Sequence, residues 1–120
     1  MKVTHQASIA PFYTEEKCFI QEFFNHTEHP NISIAKAIVK PAITTQKHAL
    51  SETEEWYYIL KGKGIIQVNG ETVKVKVGTC IYIPANATQS ITNNEDDDLE
   101  FLCICNPRFQ ESSYVSKELD

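Results

Sequence analysis

The stretch "HALSETEEWYYILKGKG", residues 48–64, places one histidine and three glutamates before an aromatic run and a Gly-Lys-Gly turn. The aromatic run is rich in residues typical of β-strands. Alternation along a strand puts Tyr57 on the same face as Glu55. It puts Trp56 and Tyr58 on the opposite face, where packing explains them better than ligand stacking does. The stretch therefore predicts a strand with Glu55 and Tyr57 on one face and Trp56 and Tyr58 on the other.

The rest of the sequence also predicts strands and almost no helix. Apolar residues alternate instead of recurring at intervals of three and four. Asn69-Gly70, between two such runs, predicts a type I′ hairpin, because both turn positions need a positive φ. The predicted strands are residues 18–24, 33–40, 56–60, 64–68, 72–77, 80–84, 89–93 and 99–105. Short strands at this spacing indicate an all-β sandwich or barrel.

Length and charge exclude several classes of function. A chain of 120 residues fits a single domain. Its net charge of −5 argues against a nucleic-acid partner, whose backbone would be repelled. No apolar run approaches the ~18 residues that span a bilayer, and the first residues lack the apolar stretch of a signal peptide. We therefore expect a cytoplasmic protein without a membrane partner. Its cysteines are expected to be free buried thiols: Cys18, Cys80, Cys103 and Cys105.

A spaced motif surrounds the quoted stretch. Five residues separate Ala42 from His48, Leu50 follows two places later, four residues precede Glu55, and six more precede Gly62. This pattern resembles the first motif of the cupin superfamily, which has a glycine, an H-x-H pair, a glutamate and a second glycine at these positions. Here Ala42 replaces the first glycine and Leu50 replaces the second histidine.

A second motif follows after fifteen residues, as in compact cupins. Gly78, Pro84 and Asn93 match that motif, whereas Asn86 replaces its glycine and Gln89 its histidine. The ending "FLCICNPRF" is similar to small single-domain cupins of the mannose-6-phosphate-isomerase-like type. The resemblance implies a cupin barrel, which is a double-stranded β-helix or jelly roll, formed by one domain.

The resemblance also implies where a metal would bind. In cupins four motif positions converge on one ion, and here they are occupied by His48, Leu50, Glu55 and Gln89. Leu50 has no electron pair to donate, and the amide oxygen of Gln89 is neutral and weaker than an imidazole. The expected site is therefore weak or degenerate: one divalent ion (Mn, Fe, Ni or Zn) on His48, Glu55 and Gln89, or no ion.

Three functions stay open at this point. A pocket near His48, lined by Leu50 and Tyr57, is expected to hold a small organic metabolite. The protein is then a metal-assisted isomerase, lyase or tailoring enzyme, a metal-independent epimerase-like enzyme with His48 as its base, or a non-catalytic sensor barrel. A register slip of one residue would exchange Glu54 with Glu55, and the motif spacing selects Glu55.

The ends of the chain are expected to lie outside the barrel core. Residues 1–30 are predicted as an N-terminal arm with edge strands, 31–106 as the core, and 107–120 as a C-terminal tail. Pairing of edge strands favours a homodimer. Arg108 either orders the tail or binds an anion, and packing is the favoured explanation.

Overall fold

The computed structural model describes residues 1–118, which form two antiparallel sheets and two short 3₁₀ turns, Gln6–Ser8 and Glu111–Ser113. The strands are β1 Phe12–Tyr13, β2 Phe19–Phe24, β3 Ser33–Val39, β4 His48–Leu50, β5 Glu54–Lys61, β6 Lys63–Val68, β7 Glu71–Lys76, β8 Cys80–Ile83, β9 Gln89–Thr92, β10 Leu99–Asn106 and β11 Tyr114–Ser116. The all-β prediction is confirmed. Within residues 1–118, no helix is long and apolar enough to cross a membrane.

The two sheets have the strand orders β1-β2-β3-β10-β5-β8 and β11-β4-β9-β6-β7. Each of the eight predicted strands corresponds to an observed strand, with ends that differ by two residues or fewer. β4 is absent from the predicted strands because three residues are too few to show alternation. β1 and β11 lie at the outer edges of their sheets. The homodimer stays a prediction.

The barrel interior changes from apolar to polar along β10. The inward residues are first Leu99 and Phe101, then Cys103 and Cys105, and Cys105 lies opposite Glu55 on β5. Apolar side chains fill the first end: Val39, Ile59, Ile66, Val75, Ile83, Ile91, Leu99 and Phe101. Burial of such side chains is worth about 1.5–3 kcal/mol each and holds the two sheets together. The other end of the barrel is therefore free to contain polar groups.

Two turns fix the strand registers as the sequence predicts. Asn69 and Gly70 have φ values of 49° and 83°, which is the type I′ pattern, between β6 and β7. Gly62 connects β5 to β6 with φ of 84°. A Cβ atom there would lie 2.5 Å from the carbonyl oxygen of Asp98, so only glycine fits without a shift.

The outer face of the larger sheet carries the alternate residues of β5 and β8. Tyr57 is 6% exposed and Tyr58 is 42% exposed, which confirms the predicted alternation. Cys80 lies opposite Tyr58 and is also exposed, so the prediction of a buried thiol is wrong there. β8 is an edge strand and Cys80 is on its outward face. All four cysteines are free, as expected.

Candidate active site

A cavity of about 970 Å³ opens at the polar end of the barrel. Four of the predicted site residues line it: His48, Leu50, Glu55 and Tyr57. The sequence motifs do not indicate its other polar walls, which come from both ends of the chain and include Glu16, Arg108 and Tyr114. A cavity of this size suits a small organic molecule.

Contacts with neighbouring groups fix the orientation of the His48 ring and occupy one of its two nitrogens, Nδ1. It lies on β4 directly opposite Gln89 of β9, and its ring stacks on Tyr114 with centroids 4.8 Å apart. Nδ1 is 2.8 Å from the carbonyl oxygen of Gln46. Because a carbonyl oxygen only accepts, Nδ1 carries the hydrogen, and the neutral ring keeps its lone pair on Nε2. His48 can therefore accept a proton at Nε2.

Glu16 is the nearest charged partner of that nitrogen. Oε2 of Glu16 lies 4.0 Å from Nε2 of His48. The loop that carries Glu16 is attached to the segment just before β4, since the backbone N–H of Gln46 donates to the Glu16 carbonyl oxygen at 2.9 Å. Burial raises the pKa of the Glu16 carboxyl, and the charge of His48 opposes that rise. Glu16 lies outside both motifs, and no local pattern marks it as a site residue.

Glu55 is a buried carboxyl group in the wall of the same cavity. Cys105 donates its thiol to Oε2 at 3.5 Å, while Oε1 has no hydrogen-bond partner among residues 1–118. Burial, and next the charge of Glu16, raise the pKa of Glu55 to about 8, although hydrogen bonds from Gln89 and Cys105 lower it in part. At pH 7 the group is therefore mostly protonated and can donate a proton.

Gln89 is 2% exposed and already has a partner across the interior. The Tyr57 hydroxyl donates to Oε1 of Gln89 at 2.8 Å, which joins β5 of one sheet to β9 of the other. Burial raises the pKa of the Tyr57 phenol well above its usual range, so it remains a donor. The amide oxygen that the cupin motif would offer to a metal therefore accepts a hydrogen bond instead.

The predicted metal donors do not fit a tightly bound transition ion. Leu50 occupies a ligand position in the cavity wall, and the amide oxygen of Gln89 already accepts a hydrogen bond from Tyr57. Among residues 1–118 there is no group of three or more histidine, cysteine, aspartate or glutamate side chains that could hold a metal ion. One imidazole nitrogen is too few for tight zinc binding. A weak site on His48, Glu55 and Gln89 stays a prediction.

Three thiols line the cavity beside Glu55. They belong to Cys18, Cys103 and Cys105. Burial raises the pKa of Cys18 to about 12 and moves those of Cys103 and Cys105 well above their usual range. The thiolate is the nucleophile and the metal ligand, so these protonated thiols act as packing groups and weak donors.

The family model described as a cupin domain matches residues 36–105. An uncharacterized protein of Methanocaldococcus jannaschii is 35% identical over 112 residues, which cover 88% of this chain and 86% of that protein. An oxalate-binding protein of Thermotoga maritima is 33% identical over 70 residues, 58% of each chain. These findings confirm the predicted family.

Solved structures support the same fold. The nucleoside dehydratase Pac13, of which Streptomyces structures are known, superposes with a TM-score of 0.82 at 15% identity. The match covers 99% of this chain and 92% of that protein. The jelly-roll prediction is thereby confirmed, and at this identity the likeness concerns the fold alone.

Proposed function

The chain belongs to the cupin family, and from this premise we propose that it is a metal-independent acid–base enzyme, a lyase or isomerase for a small organic molecule. One observation carries the proposal. A mostly neutral carboxyl group on Glu55 lies in the same cavity as His48, whose Nε2 bears a lone pair. Proton transfer requires an acid that keeps its proton near neutral pH and a ring nitrogen that can accept a proton.

The proposed first step is proton removal from a carbon next to a carbonyl group. Nε2 of His48 takes the proton, and the electron pair of the C–H bond moves toward the carbonyl oxygen. That oxygen takes the proton of Glu55, which leaves an enol, an imidazolium and a carboxylate. Glu16 stabilises the imidazolium, since its carboxylate lies 4.0 Å from Nε2.

The enol then has two outcomes, which define the two enzyme classes. In an isomerase that acts on an α-hydroxy carbonyl compound, the imidazolium gives its proton to the former carbonyl carbon. The hydroxyl on the neighbouring carbon gives its proton to the Glu55 carboxylate and becomes the new carbonyl. In a lyase, the imidazolium protonates a hydroxyl group on the neighbouring carbon, which leaves as water while Glu55 recovers the enol proton. Both routes begin with the same exchange of a C–H proton, which is therefore the step to measure.

The test is hydrogen–deuterium exchange into carbonyl compounds in D₂O, followed by proton NMR. The substrates are a panel of hydroxy acids, hydroxy ketones and sugars. We expect catalysed exchange with at least one of them, and a loss of roughly a hundredfold or more in H48Q and E55Q. The matched controls H29Q and E54Q change an exposed histidine and an outward glutamate and should exchange normally. Equal rates in H48Q and wild type would overturn the proposal.

A second candidate is a barrel that binds a ligand without chemistry. It is supported by the oxalate-binding relative, which matches 58% of this chain. This candidate predicts ligand binding at the cavity without C–H exchange in any panel compound. It also predicts that H48Q and E55Q change affinity only.

A further inference from the structure

We propose that Arg108 binds the carboxylate group of the substrate, so that the enzyme acts on small organic acids carrying a single negative charge. This inference rests on the proposed function and names the substrate class of the same cavity. It starts from one side chain that the acid–base mechanism does not use. Arg108 is the only arginine in the chain, and it lines the cavity with His48 and Glu55.

Backbone and side-chain contacts hold Arg108 in place. The backbone N–H of Arg108 donates to the Pro30 carbonyl oxygen at 2.9 Å. Nη1 of its guanidinium donates to Oδ1 of Asn25 at 3.0 Å. Asn25 is itself held, since its Nδ2 donates to the Phe109 carbonyl oxygen at 2.9 Å and to a Glu22 oxygen at 3.1 Å. The guanidinium is therefore oriented by a neutral amide and not by a carboxylate.

The positive charge of Arg108 is not paired within the part of the chain that the structure describes. The ion pairs found there use four lysines and His48. Glu22 and Glu111 line the same cavity, yet neither forms an ion pair with Arg108 among residues 1–118. A guanidinium has five N–H donors, and one contact with Asn25 leaves most of them available. No lysine of residues 1–118 lines this cavity. The guanidinium of Arg108 is therefore the one permanently charged cationic group in its described wall that an anion can bind.

The charge of the remaining wall restricts the anion. Five glutamates line the cavity: Glu15, Glu16, Glu22, Glu55 and Glu111. A phosphate monoester or a dicarboxylate would bring two negative charges among them for one arginine. A single carboxylate is matched in charge, and its two oxygens fit the planar guanidinium fork. The glutamates other than Glu55 can then accept hydrogen bonds from hydroxyl groups on the neutral part of the molecule.

The test is a titration of the full chain labelled with ¹⁵N, in which the Arg108 side-chain N–H signal reports binding. The probes are lactate and mandelate, their neutral isosteres lactamide and mandelamide, and phenyl phosphate as a dianion. We expect at least one carboxylate to bind at millimolar concentration or better and to shift that signal. Its affinity should fall roughly tenfold or more in R108Q and less in R108K, while the amides bind both proteins equally.

The control variant K63Q removes a positive charge away from this cavity and should bind the carboxylate like wild type. An R108Q spectrum that keeps its dispersion shows that the variant is folded. If R108Q does not fold, R108K and the side-chain signal of the wild-type protein decide. Equal carboxylate affinity in wild type and R108Q, no carboxylate binding to wild type, or tighter binding of phenyl phosphate would overturn the proposal.

Failure of this inference is distinguishable from failure of the proposed function. Carboxylate binding that needs Arg108, together with no C–H exchange in any compound, leaves the anion site standing and removes the catalytic proposal. Exchange that needs His48 but is equally fast in R108Q leaves the acid–base proposal standing and removes the anion site.

Discussion

Nε2 of His48 and Oε2 of Glu16 lie 4.0 Å apart in the cavity, although the two residues are 32 positions apart in the sequence. Glu16 is in the loop between β1 and β2, and His48 is on β4. The pair gives the proposed base a negative partner that stabilises its protonated form. The contact also places a residue of the N-terminal loop next to the proposed catalytic base.

Substitution E16Q should therefore slow the proposed proton removal without disturbing the fold. We expect a loss of roughly tenfold or more in the exchange rate. Two unit charges 4.0 Å apart attract by about 1 kcal/mol in water and about 4 kcal/mol near a protein surface, and a factor of ten corresponds to about 1.4 kcal/mol. The NMR exchange assay measures it, with E71Q on the exposed β7 as the matched control. A rate in E16Q equal to that of E71Q would show that Glu16 has no part in the step.

The raised pKa of Glu55 predicts how stability depends on pH. The folded protein keeps a proton on Glu55 up to about pH 8, whereas the unfolded chain releases it near its ordinary value of 4.5. Between these two values the folded state binds more protons, so this group lowers the free energy of unfolding by about 1.4 kcal/mol per pH unit as pH rises. Below pH 4.5 and above about pH 8 its contribution is constant.

The variant E55Q isolates this contribution, because glutamine resembles the protonated group in shape and charge. The free energy of unfolding, from urea titrations at several pH values, should fall less steeply for E55Q than for wild type across this window. Glu16, whose pKa is also raised by burial, is present in both proteins, so its own burial contributes to both curves. Parallel curves for the two proteins would mean that Glu55 is ionised in the folded state at neutral pH.

The hydrogen bond from Tyr57 to Gln89 should contribute measurably to stability. Y57F leaves Oε1 of Gln89 buried without its donor, and we expect a loss of about 1–2 kcal/mol in the free energy of unfolding. Y58F removes the hydroxyl of an exposed neighbour and should change it by less than about 0.5 kcal/mol. Denaturant titration gives both values. Equal losses in the two variants would contradict the role of this bond.

We expect tight metal binding when histidine is placed at the two motif positions that lack it, Leu50 and Gln89. L50H and Q89H together place imidazoles beside His48, since Leu50 follows it on β4 and Gln89 lies opposite it. We expect the double variant to retain near-stoichiometric Zn²⁺ or Mn²⁺ in elemental analysis after dialysis, and its melting temperature to rise on metal addition. The wild-type protein should retain much less. Stoichiometric metal in wild type that is lost in H48Q would instead support the metal hypothesis.

The sequence by itself determined the fold and indicated four of the residues that line the cavity: His48, Leu50, Glu55 and Tyr57. Alternation and turn chemistry are local, so the strands and the Asn69-Gly70 hairpin could be predicted. The resemblance to the cupin motifs pointed to His48, Leu50, Glu55 and Gln89, and strand geometry explains only why His48 and Leu50, two residues apart, share a face. The wrong expectation for Cys80 arose because an apolar run does not reveal which strand lies at a sheet edge.

Only the tertiary structure decided which groups meet in the cavity and how each is charged. Glu16 and Arg108 come from opposite ends of the chain, and no local pattern links either of them to His48. The pKa of Glu55 depends on burial and on Glu16, and the availability of Gln89 depends on Tyr57 across the two sheets. Desolvation and cross-sheet hydrogen bonds depend on distances between residues that are far apart in the sequence. Local sequence patterns therefore do not predict them.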